Sequence, residues 1–408
     1  MWKWVLFLLM LLTACSNTES NTTNQATPTD DAAITVAGAQ GRVEITLESP
    51  PEWREASDVL TTENIARASY IGRLETVGAE MSTVFRHAFS PDATRLAVLD
   101  NINLMVWDLI SGENVFIASR RNANEVFFSS DKSEIYTIDP QGNIIIYDAE
   151  NGLIINDVRG HTAFNGAVAF NADEDLLVMG GTDSTVKVWD MVERTSLVTV
   201  QSSAGDVLTV DMSPDGTMVG IGGTNATIEI WDWRERALLS IFPANVPRID
   251  RIVFSPDNAR MAAATPEVTL MFDMTTFDVA YALELGEGGT RDVLAFSPDG
   301  RYLITAGTTL DMLVWDVTDG ARLASLPDLS GDVSAAFSPD GGLLLTVKRG
   351  GAVSLWNMNS ISESAIGSAP LNVPSTRIFN LDWSPDGFVM LFFDEIGPLY
   401  VWGLPPES

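Results

Sequence analysis

Residues 207–232 read VLTVDMSPDGTMVGIGGTNATIEIWD, and this stretch decides the fold. An apolar run ends at Ser213–Gly216, where proline fixes φ, aspartate bonds its own backbone and glycine accepts a positive φ, so a tight turn is predicted. After a second turn, Thr227–Trp231 alternates apolar and polar residues, as a half-buried strand does. With a further apolar run at Ala237–Phe242, the stretch predicts four short strands joined by turns.

The same unit occurs eight times. The Ser-Pro-Asp turn, varied to Ser-Ser-Asp at Ser129 and to Asn-Ala-Asp at Asn171, begins at intervals of 39 to 46 residues at Ser90, Ser129, Asn171, Ser213, Ser255, Ser297, Ser338 and Ser384. An aromatic residue keeps the same phase at Trp107, Tyr147, Trp189, Trp231, Phe272, Trp315, Trp356 and Trp402. A period of this length indicates a repeat architecture, and four short strands per repeat indicate a propeller blade. We therefore expect an all-β propeller of eight blades; the alternative is seven blades with the second or eighth repeat distorted.

The end of the chain makes a further prediction about closure. After Trp402 only Gly-Leu-Pro-Pro-Glu-Ser remains, and two prolines cannot take part in a strand ladder. The eighth blade would then lack its outer strand unless the N-terminal region supplies it. Tyr70–Val77 is a suitable segment, and its addition would close the ring without an open edge.

This pattern resembles the WD40 repeat family over roughly Ser69–Gly403. The best matches are Gly160-His161 and the Trp-Asp pairs at 107–108, 189–190, 231–232 and 315–316. The resemblance implies a structural hydrogen-bond network formed by His161, Asp183 and Trp189, with Gly180 where the family usually has a serine or threonine. In the other seven repeats the aspartate position holds a different residue, so those blades are expected to rely on packing.

The N-terminus carries a different signal. Trp2–Leu12 is apolar apart from Lys3. This segment is too short to span a hydrocarbon core of about 30 Å and is typical of a cleaved signal peptide. Leu12-Thr13-Ala14-Cys15 resembles the bacterial lipobox, and Cys15 is the only cysteine. This resemblance implies cleavage before Cys15 and acylation of its sulfur, with palmitate or a similar chain. The expected location is the bacterial cell envelope, on the extracytoplasmic side of a membrane.

The chain then divides into five predicted segments. Residues 1–14 are the lipoprotein signal peptide, and residues 15–33 are the acylated cysteine with a polar, disordered tether. Residues 34–66 are an N-terminal extension in which Val43–Leu47 alternates like a strand and Trp53 is expected to pack on the side of the ring. Residues 67–404 are the WD40 propeller, expected to be a monomeric ring, and residues 405–408 are a tail.

Charge and composition exclude several kinds of partner and site. A net charge of −31 repels nucleic acid and anionic lipid, so the acyl group rather than surface charge must hold the membrane. Histidine occurs only at His87 and His161, and with one cysteine they cannot build a multi-ligand zinc, copper or haem site. His87 lies in a strand column that is otherwise apolar, so it is expected to be packed. We predict no catalytic, cofactor-binding or metal-binding residue.

The function predicted from these features is a protein–protein interaction scaffold. Loops held by a rigid ring are where binding residues concentrate, and the WD40 resemblance implies the scaffolding of complexes. The partner protein and the propeller face that binds it are unknown. The alternatives are a propeller enzyme of the hydrolase, lyase or quinoprotein type and a sensor of a small ligand. Charged residues converging at the mouth of the central channel would favour these alternatives, and no such cluster is evident in the sequence.

Overall fold

A computed structural model of the chain describes residues 56–404, apart from 62, 65–66, 75–85, 101, 120–121, 172, 174, 245–246, 285–292, 308–310, 350–352, 362–374, 376 and 396–397. The regular structure in these residues is β-strand, with one short 3-10 turn at Met358–Ser360. The strands form eight antiparallel sheets, each a blade of a β-propeller. The predicted all-β fold and the count of eight blades are confirmed, and the seven-blade alternative is wrong.

In blades 1 to 4, four consecutive strands a, b, c and d pair in chain order. Blade 1 comprises β2 (Arg86–Phe89), β3 (Arg95–Leu99), β4 (Asn103–Asp108) and β5 (Asn114–Ser119). Blade 2 comprises β6 (Glu125–Phe128), β7 (Glu134–Ile138), β8 (Asn143–Asp148) and β9 (Ile154–Arg159). Blade 3 comprises β10 (Phe164–Phe170), β11 (Leu176–Gly181), β12 (Thr185–Asp190) and β13 (Thr195–Gln201). Blade 4 comprises β14 (Val207–Met212), β15 (Met218–Gly223), β16 (Thr227–Asp232) and β17 (Ala237–Pro243).

Blades 5 and 6 repeat this order, and blade 7 has three strands among the described residues. Blade 5 comprises β18 (Arg251–Phe254), β19 (Arg260–Ala264), β20 (Val268–Asp273) and β21 (Val279–Glu284). Blade 6 comprises β22 (Val293–Phe296), β23 (Tyr302–Ala306), β24 (Met312–Asp316) and β25 (Arg322–Leu326). Blade 7 comprises β26 (Val333–Phe337), β27 (Leu343–Lys348) and β28 (Val353–Asn357). Blade 8 contributes β29 (Ile378–Trp383), β30 (Val389–Asp394) and β31 (Leu399–Gly403) from the C-terminal region.

The outer strand of blade 8 comes from the N-terminal region, as predicted. Strand β1 (Ser69–Leu74) pairs antiparallel with β31, with Ser69 opposite Gly403 and Leu74 opposite Leu399. The sheet order is therefore β1, β31, β30, β29. The predicted strand ran to Val77, but residues 75–77 lie outside the described part. Because β1 covers the edge of β31, this edge is closed to pairing with another chain.

A buried serine hydroxyl holds each Ser-Pro-Asp turn, a role that the sequence analysis did not assign. In blade 4, Ser213 Oγ donates to Asp215 Oδ1 at 2.7 Å and accepts from the Met218 amide at 2.8 Å. The same serine-to-aspartate bond recurs in six other blades at 2.6–2.7 Å. In blade 3, Asn171 replaces the serine, and its amide oxygen accepts from the Leu176 amide at 2.9 Å. The repeat therefore conserves a buried acceptor at this turn as well as its bend.

The core lies between neighbouring blades. Strands a of several neighbouring blades contact one another, so they line the central channel, and strands d are outermost. The up-and-down strand order places the a–b and c–d turns on one face, here called the S-P-D face. The b–c turns and d–a connections lie on the other face, here called the loop face.

An N-terminal strap, residues 56–61, lies on blade 8 at the S-P-D face. The Ser57 amide donates to the Leu404 carbonyl at 2.8 Å, and the Leu60 amide donates to the Gly387 carbonyl at 2.9 Å. The Leu60 side chain is 1% exposed and belongs to the core formed by blades 7 and 8. This part of the predicted extension therefore reinforces the closing blade, while Val43–Leu47 and Trp53 lie outside the described residues.

Candidate functional site

The structure brings His161 and Asp183 together through a residue that the sequence analysis did not name. His161 is fully buried, and its Nε2 lies 3.1 Å from Thr185 Oγ1. Thr185 Oγ1 donates to Asp183 Oδ1 at 2.7 Å, whereas His161 Nε2 is 4.0 Å from that oxygen. His161 Nδ1 accepts from the Ala163 amide at 3.1 Å, which leaves the proton of a neutral ring on Nε2. Burial lowers the pKa of His161, so the neutral ring is favoured.

Trp189 lies apart from this chain of hydrogen bonds. Its Nε1 donates to the Gly160 carbonyl at 3.2 Å. In blades 6 and 7 the corresponding indoles bond to a threonine ten residues earlier, Trp315 to Thr305 at 2.9 Å and Trp356 to Thr346 at 2.8 Å. The residue ten before Trp189 is Met179, so the assignment of this position to Gly180 was wrong.

The expectation that seven blades rely on packing is also wrong for three of them. Besides the two Trp–Thr bonds, blade 4 has its own polar cluster around Glu229, which is 1% exposed. Glu229 accepts from the Ser203 amide at 2.7 Å and from Trp231 Nε1 at 2.8 Å. A carboxylate two residues before the aromatic landmark, a position that is mostly apolar in the other repeats, was the signal for this cluster.

Polar side chains that belong neither to the core between blades nor to the turns line the central channel. At the inner edge of blade 5, the Ile252 amide donates to Thr209 Oγ1 at 3.0 Å and the Phe254 amide donates to Asp211 Oδ2 at 2.7 Å. Both acceptors come from strand β14 of blade 4. Side chains of one blade thus satisfy the inner-edge donors of the next, as buried backbone groups require.

Charged residues converge in this channel. Arg86 Nε lies 3.2 Å from Glu125 Oε2, which joins blade 1 to blade 2, and His87 Nε2 lies 2.8 Å from Asp382 Oδ2, which joins blade 1 to blade 8. The His87 ring also stacks at 4.3 Å on Phe393, so it is packed and satisfied. This cluster was not predicted, because its members belong to different repeats. A detectable signal was present, since Asp382 and Asp211 are the only charged residues in a strand-a column otherwise filled by Ala88, Phe127, Ala169, Val253, Ala295 and Ala336.

Two carboxyl groups of the channel, those of Asp211 and Glu125, are poorly solvated. Desolvation raises the pKa of Asp211 to about 7, against the opposing effects of its hydrogen bond from Phe254 and of the Arg251 charge. Desolvation also raises the pKa of Glu125, although the Arg86 guanidinium lowers it. Raised carboxyl pKa values are common at functional sites and also occur in structural clusters.

Two adjoining cavities open along these inner strands. The larger, of about 730 Å³, is lined by Arg86, Glu125, Phe164, Asn165, Gly166 and Leu208, among others. The second, of about 310 Å³, shares Gly166 and Leu208 and is also lined by Asp211, Asp250 and Arg251. The first lies at the end of the channel that opens on the loop face, because its residues begin the strands a.

Other features of a site fall outside this region. In the described ranges, no three His, Cys, Asp or Glu side chains are grouped so as to hold a metal ion. Within the same ranges, no helix has the length and apolar character needed to cross a membrane. Cys15, the predicted site of acylation, lies outside the described residues.

Comparison with known proteins gives a match in the middle of the propeller. The profile of the family described as WD domain, G-beta repeat, matches residues 153–190 and 194–232. Each match starts at or just before strand d of one blade and ends with strand c of the next. The repeat recognised in sequence is therefore offset by one strand from the blade.

Curated relatives show the same repeats. The chain is 25% identical over 126 residues to COMPASS component SWD3 of Saccharomyces cerevisiae, and the aligned segment covers 30% of this chain and 40% of that protein. It is 28% identical over 134 residues to small ribosomal subunit protein RACK1z of Arabidopsis thaliana, covering 29% and 41%. An uncharacterized WD repeat-containing protein of Synechocystis is 24% identical over 132 residues, covering 31% and 38%. The matched segments thus span about two fifths of these relatives. The chain carries WD40 repeats, and they are built into an eight-bladed propeller.

Proposed function

We propose that this chain is a lipid-anchored, extracytoplasmic WD40 propeller of a bacterial cell envelope that scaffolds protein complexes. The observation that carries the proposal is a closed ring whose loop face presents b–c turns and d–a connections on rigid strands. Loops on a rigid frame are well suited to binding a partner. SWD3 and RACK1z are by name components of larger assemblies, which agrees with this role.

The anchoring part rests on the N-terminal sequence. Cys15 follows an apolar run and precedes a polar segment, as in lipoproteins. Two or more acyl chains give stable attachment where one chain gives marginal attachment. In a bacterial host supplied with an alkyne fatty acid, the full chain should be labelled and Cys15→Ala should not be. Equal labelling of both proteins would refute the anchor.

The binding face is tested by site-specific photo-crosslinking in intact cells. Ile102 lies in a b–c turn on the loop face and is 66% exposed, while Val192 lies in a c–d turn on the S-P-D face and is 68% exposed. A photoreactive amino acid at position 102 should yield discrete crosslinked partners, and one at position 192 should not. The scaffold proposal fails if neither position yields a partner above background, and the assignment of the face fails if position 192 gives the stronger crosslinks.

A further inference from the structure

The two adjoining channel cavities differ in the chemistry of their walls. The larger one, at the loop face, exposes apolar surface from Phe164, Pro140 and Leu208, the last of which is 37% exposed, on the wall beside the ion pair of Arg86 and Glu125. The smaller one, deeper between blades 3, 4 and 5, is lined by Asp211, Asp250 and Arg251. A molecule lying across both would meet an apolar wall at the mouth and charged groups below it.

Gly166 keeps the passage between the cavities open. It lines both of them and sits where the pairing of β10 with β11 is irregular, between Phe164 and Val168. A Cβ placed on Gly166 would meet no atom within 4 Å, so the space beside it is empty. Its φ of +99° is one that favours glycine.

Arg251 is the cation of the deeper cavity whose charge is least compensated. Arg248 Nε lies 2.5 Å from Asp250 Oδ1, so those two charges offset one another, and Arg86 pairs with Glu125. No salt bridge to Arg251 is found in the part of the chain that the structure describes.

The charges around Arg251 favour an anion beside it. The Arg251 side chain is exposed to the channel. The surrounding walls lower its pKa, the Asp211 charge opposes this effect, and repulsion from Arg86 adds to it. Because Asp211 has a pKa of about 7, it is only partly charged near neutral pH. An anion near Arg251 would relieve the repulsion between the two guanidinium groups.

We propose that the loop-face end of the channel binds a small carboxylic acid with an apolar body. Its carboxylate lies on the Arg251 guanidinium, which matches a carboxylate in geometry and charge. Its body lies against Leu208 and Phe164. This is a small-molecule site in addition to the proposed scaffold role, and its failure would leave the crosslinking result unaffected.

A carboxylate fits better than a phosphate. Phosphate sites usually add several free backbone N–H donors to a cation, but the inner-edge amides of Ile252 and Phe254 are already bonded to Thr209 and Asp211. A doubly charged group would also meet stronger repulsion from Asp211 and Glu125. The apolar mouth adds favourable contact for a hydrocarbon or aromatic body.

The proposal is tested by calorimetric titration of the purified full chain with 3-phenylpropionate. Saturable binding with one site is expected within a concentration range up to about 10 mM. Two control compounds separate the two halves of the ligand. 3-Phenylpropionamide lacks the charge and acetate lacks the apolar body, and each should bind at least about tenfold more weakly.

Two variants of the protein locate the site. Arg251→Gln should weaken phenylpropionate binding about tenfold or more, whereas the matched control Arg322→Gln, an exposed arginine on outer strand β25, should leave it unchanged. Leu208→Glu places a negative charge at the mouth and should also weaken binding. Because Leu208 is partly exposed, this second variant tests the site even if Arg251→Gln disturbs folding.

The pH dependence gives an independent readout. The charged groups around Arg251 are Asp211, Asp250, Arg248, Arg86 and Glu125. Binding should tighten as the pH falls from 8 to 6, because Asp211 then becomes neutral and no longer competes for Arg251. Absence of saturable binding, equal binding of the amide, or wild-type binding by both Arg251→Gln and Leu208→Glu would overturn the proposal.

Discussion

Blades 6 and 7 and blades 8 and 1 solve the same packing problem in different ways. In blades 6 and 7 the buried indoles of Trp315 and Trp356 donate to a threonine hydroxyl. In blades 1 and 8 the indole nitrogens of Trp107 and Trp402 are buried and have no hydrogen-bond partner among the described residues. The residue two positions after the one that pairs with the tryptophan on strand b explains the difference: it is threonine in the first pair and Val98 or Phe392 in the second.

An unpaired buried N–H costs about 1–3 kcal/mol, so the core around Trp107, between blades 8 and 1, and the core around Trp402, between blades 7 and 8, must be stabilised by other contacts. The structure shows three of them. Strand β1 completes the sheet of blade 8, Leu60 of the strap fills the core between blades 7 and 8, and Asp382 of blade 8 bonds His87 of the neighbouring blade 1. The closing blade therefore depends on long-range contacts, while blades 6 and 7 hold their indoles by a hydrogen bond within one repeat.

The largest expected effect comes from weakening β1. Ile71 and Leu74 are 1% and 0% exposed, and replacing both by alanine should destabilise the protein by about 4 kcal/mol or more, because each leaves a cavity. The matched control replaces Ile117 and Leu323, on outer strands of blades 1 and 6 and 44% and 40% exposed, where less than about 1 kcal/mol is expected. Urea unfolding followed by tryptophan fluorescence measures both. Equal losses would show that the closing strand has no special role.

The next effect tests the Trp–Thr bond of blade 6. Thr305→Val should cost about 1–3 kcal/mol, because the indole N–H of Trp315 is left buried without an acceptor. Thr137 of blade 2 is the matched control. Its hydroxyl is also buried but has no hydrogen-bond partner in the described part of the chain. Tyr147 stands where most other blades have tryptophan, and the Tyr147 hydroxyl donates to the Ser119 carbonyl.

Thr137→Val should therefore leave the free energy of unfolding nearly unchanged or raise it, because a polar group without a partner is removed. Chemical denaturation of the two variants measures the change in the free energy of unfolding for each. If Thr137→Val destabilised the protein as much as Thr305→Val, the hydrogen bond of blade 6 would not explain its loss.

A smaller gain is expected from giving blade 1 the hydroxyl that it lacks. Val98→Thr keeps the shape of the side chain at the position that corresponds to Thr305 and should stabilise the protein by about 1 kcal/mol, because the new hydroxyl accepts the indole N–H of Trp107. A double-mutant cycle with Trp107→Phe isolates this bond, because phenylalanine has no N–H. The same gain in the Trp107→Phe background would exclude the bond as its cause.

The smallest effect concerns blade 3, where hydrogen bonds join His161 to Thr185 and Thr185 to Asp183. The pKa of His161 is lowered by burial, so in acid the unfolded chain binds a proton that the folded chain does not. Neutral His161 therefore makes its full contribution to folding stability above the unfolded pKa of about 6.5. This contribution is lost as the pH falls below that value. His161→Asn should reduce the slope of unfolding free energy against pH below 6.5, as measured by denaturation at successive pH values. An unchanged slope would mean that other groups cause it.

The fold was predictable because its signals are local and repeated. Ser213–Gly216 bends the chain wherever it occurs, and the missing strand after Trp402 required a donor that Tyr70–Val77 could supply. The buried serine hydroxyls and the bridging Thr185 escaped prediction because their role depends on which atoms face inward in a turn. The predicted position of the tryptophan's hydrogen-bond partner, Gly180, was one residue away from the position that the Trp–Thr bonds of blades 6 and 7 identify. Strand pairing rather than sequence spacing determines that position.

The channel cluster was beyond prediction from one repeat at a time. Arg86, Glu125 and Arg251 come from three different repeats, and each looks like an ordinary surface charge in its own sequence. Only ring geometry brings them to the same end of the channel. Asp382 and Asp211 were the exceptions, because they interrupt an apolar column.

The pairing of β1 with β31 also has a consequence for the time course of folding. Ser69 lies opposite Gly403, so the contact that closes the ring joins two of the most widely separated parts of the chain. Individual blades can form from local contacts, but the ring cannot close before the last blade has been synthesised. Until then β1 remains without its partner strand, and the exposed edge of a waiting strand is a site of misassembly. Closure is thus expected to be the slow and aggregation-sensitive step in the maturation of this protein.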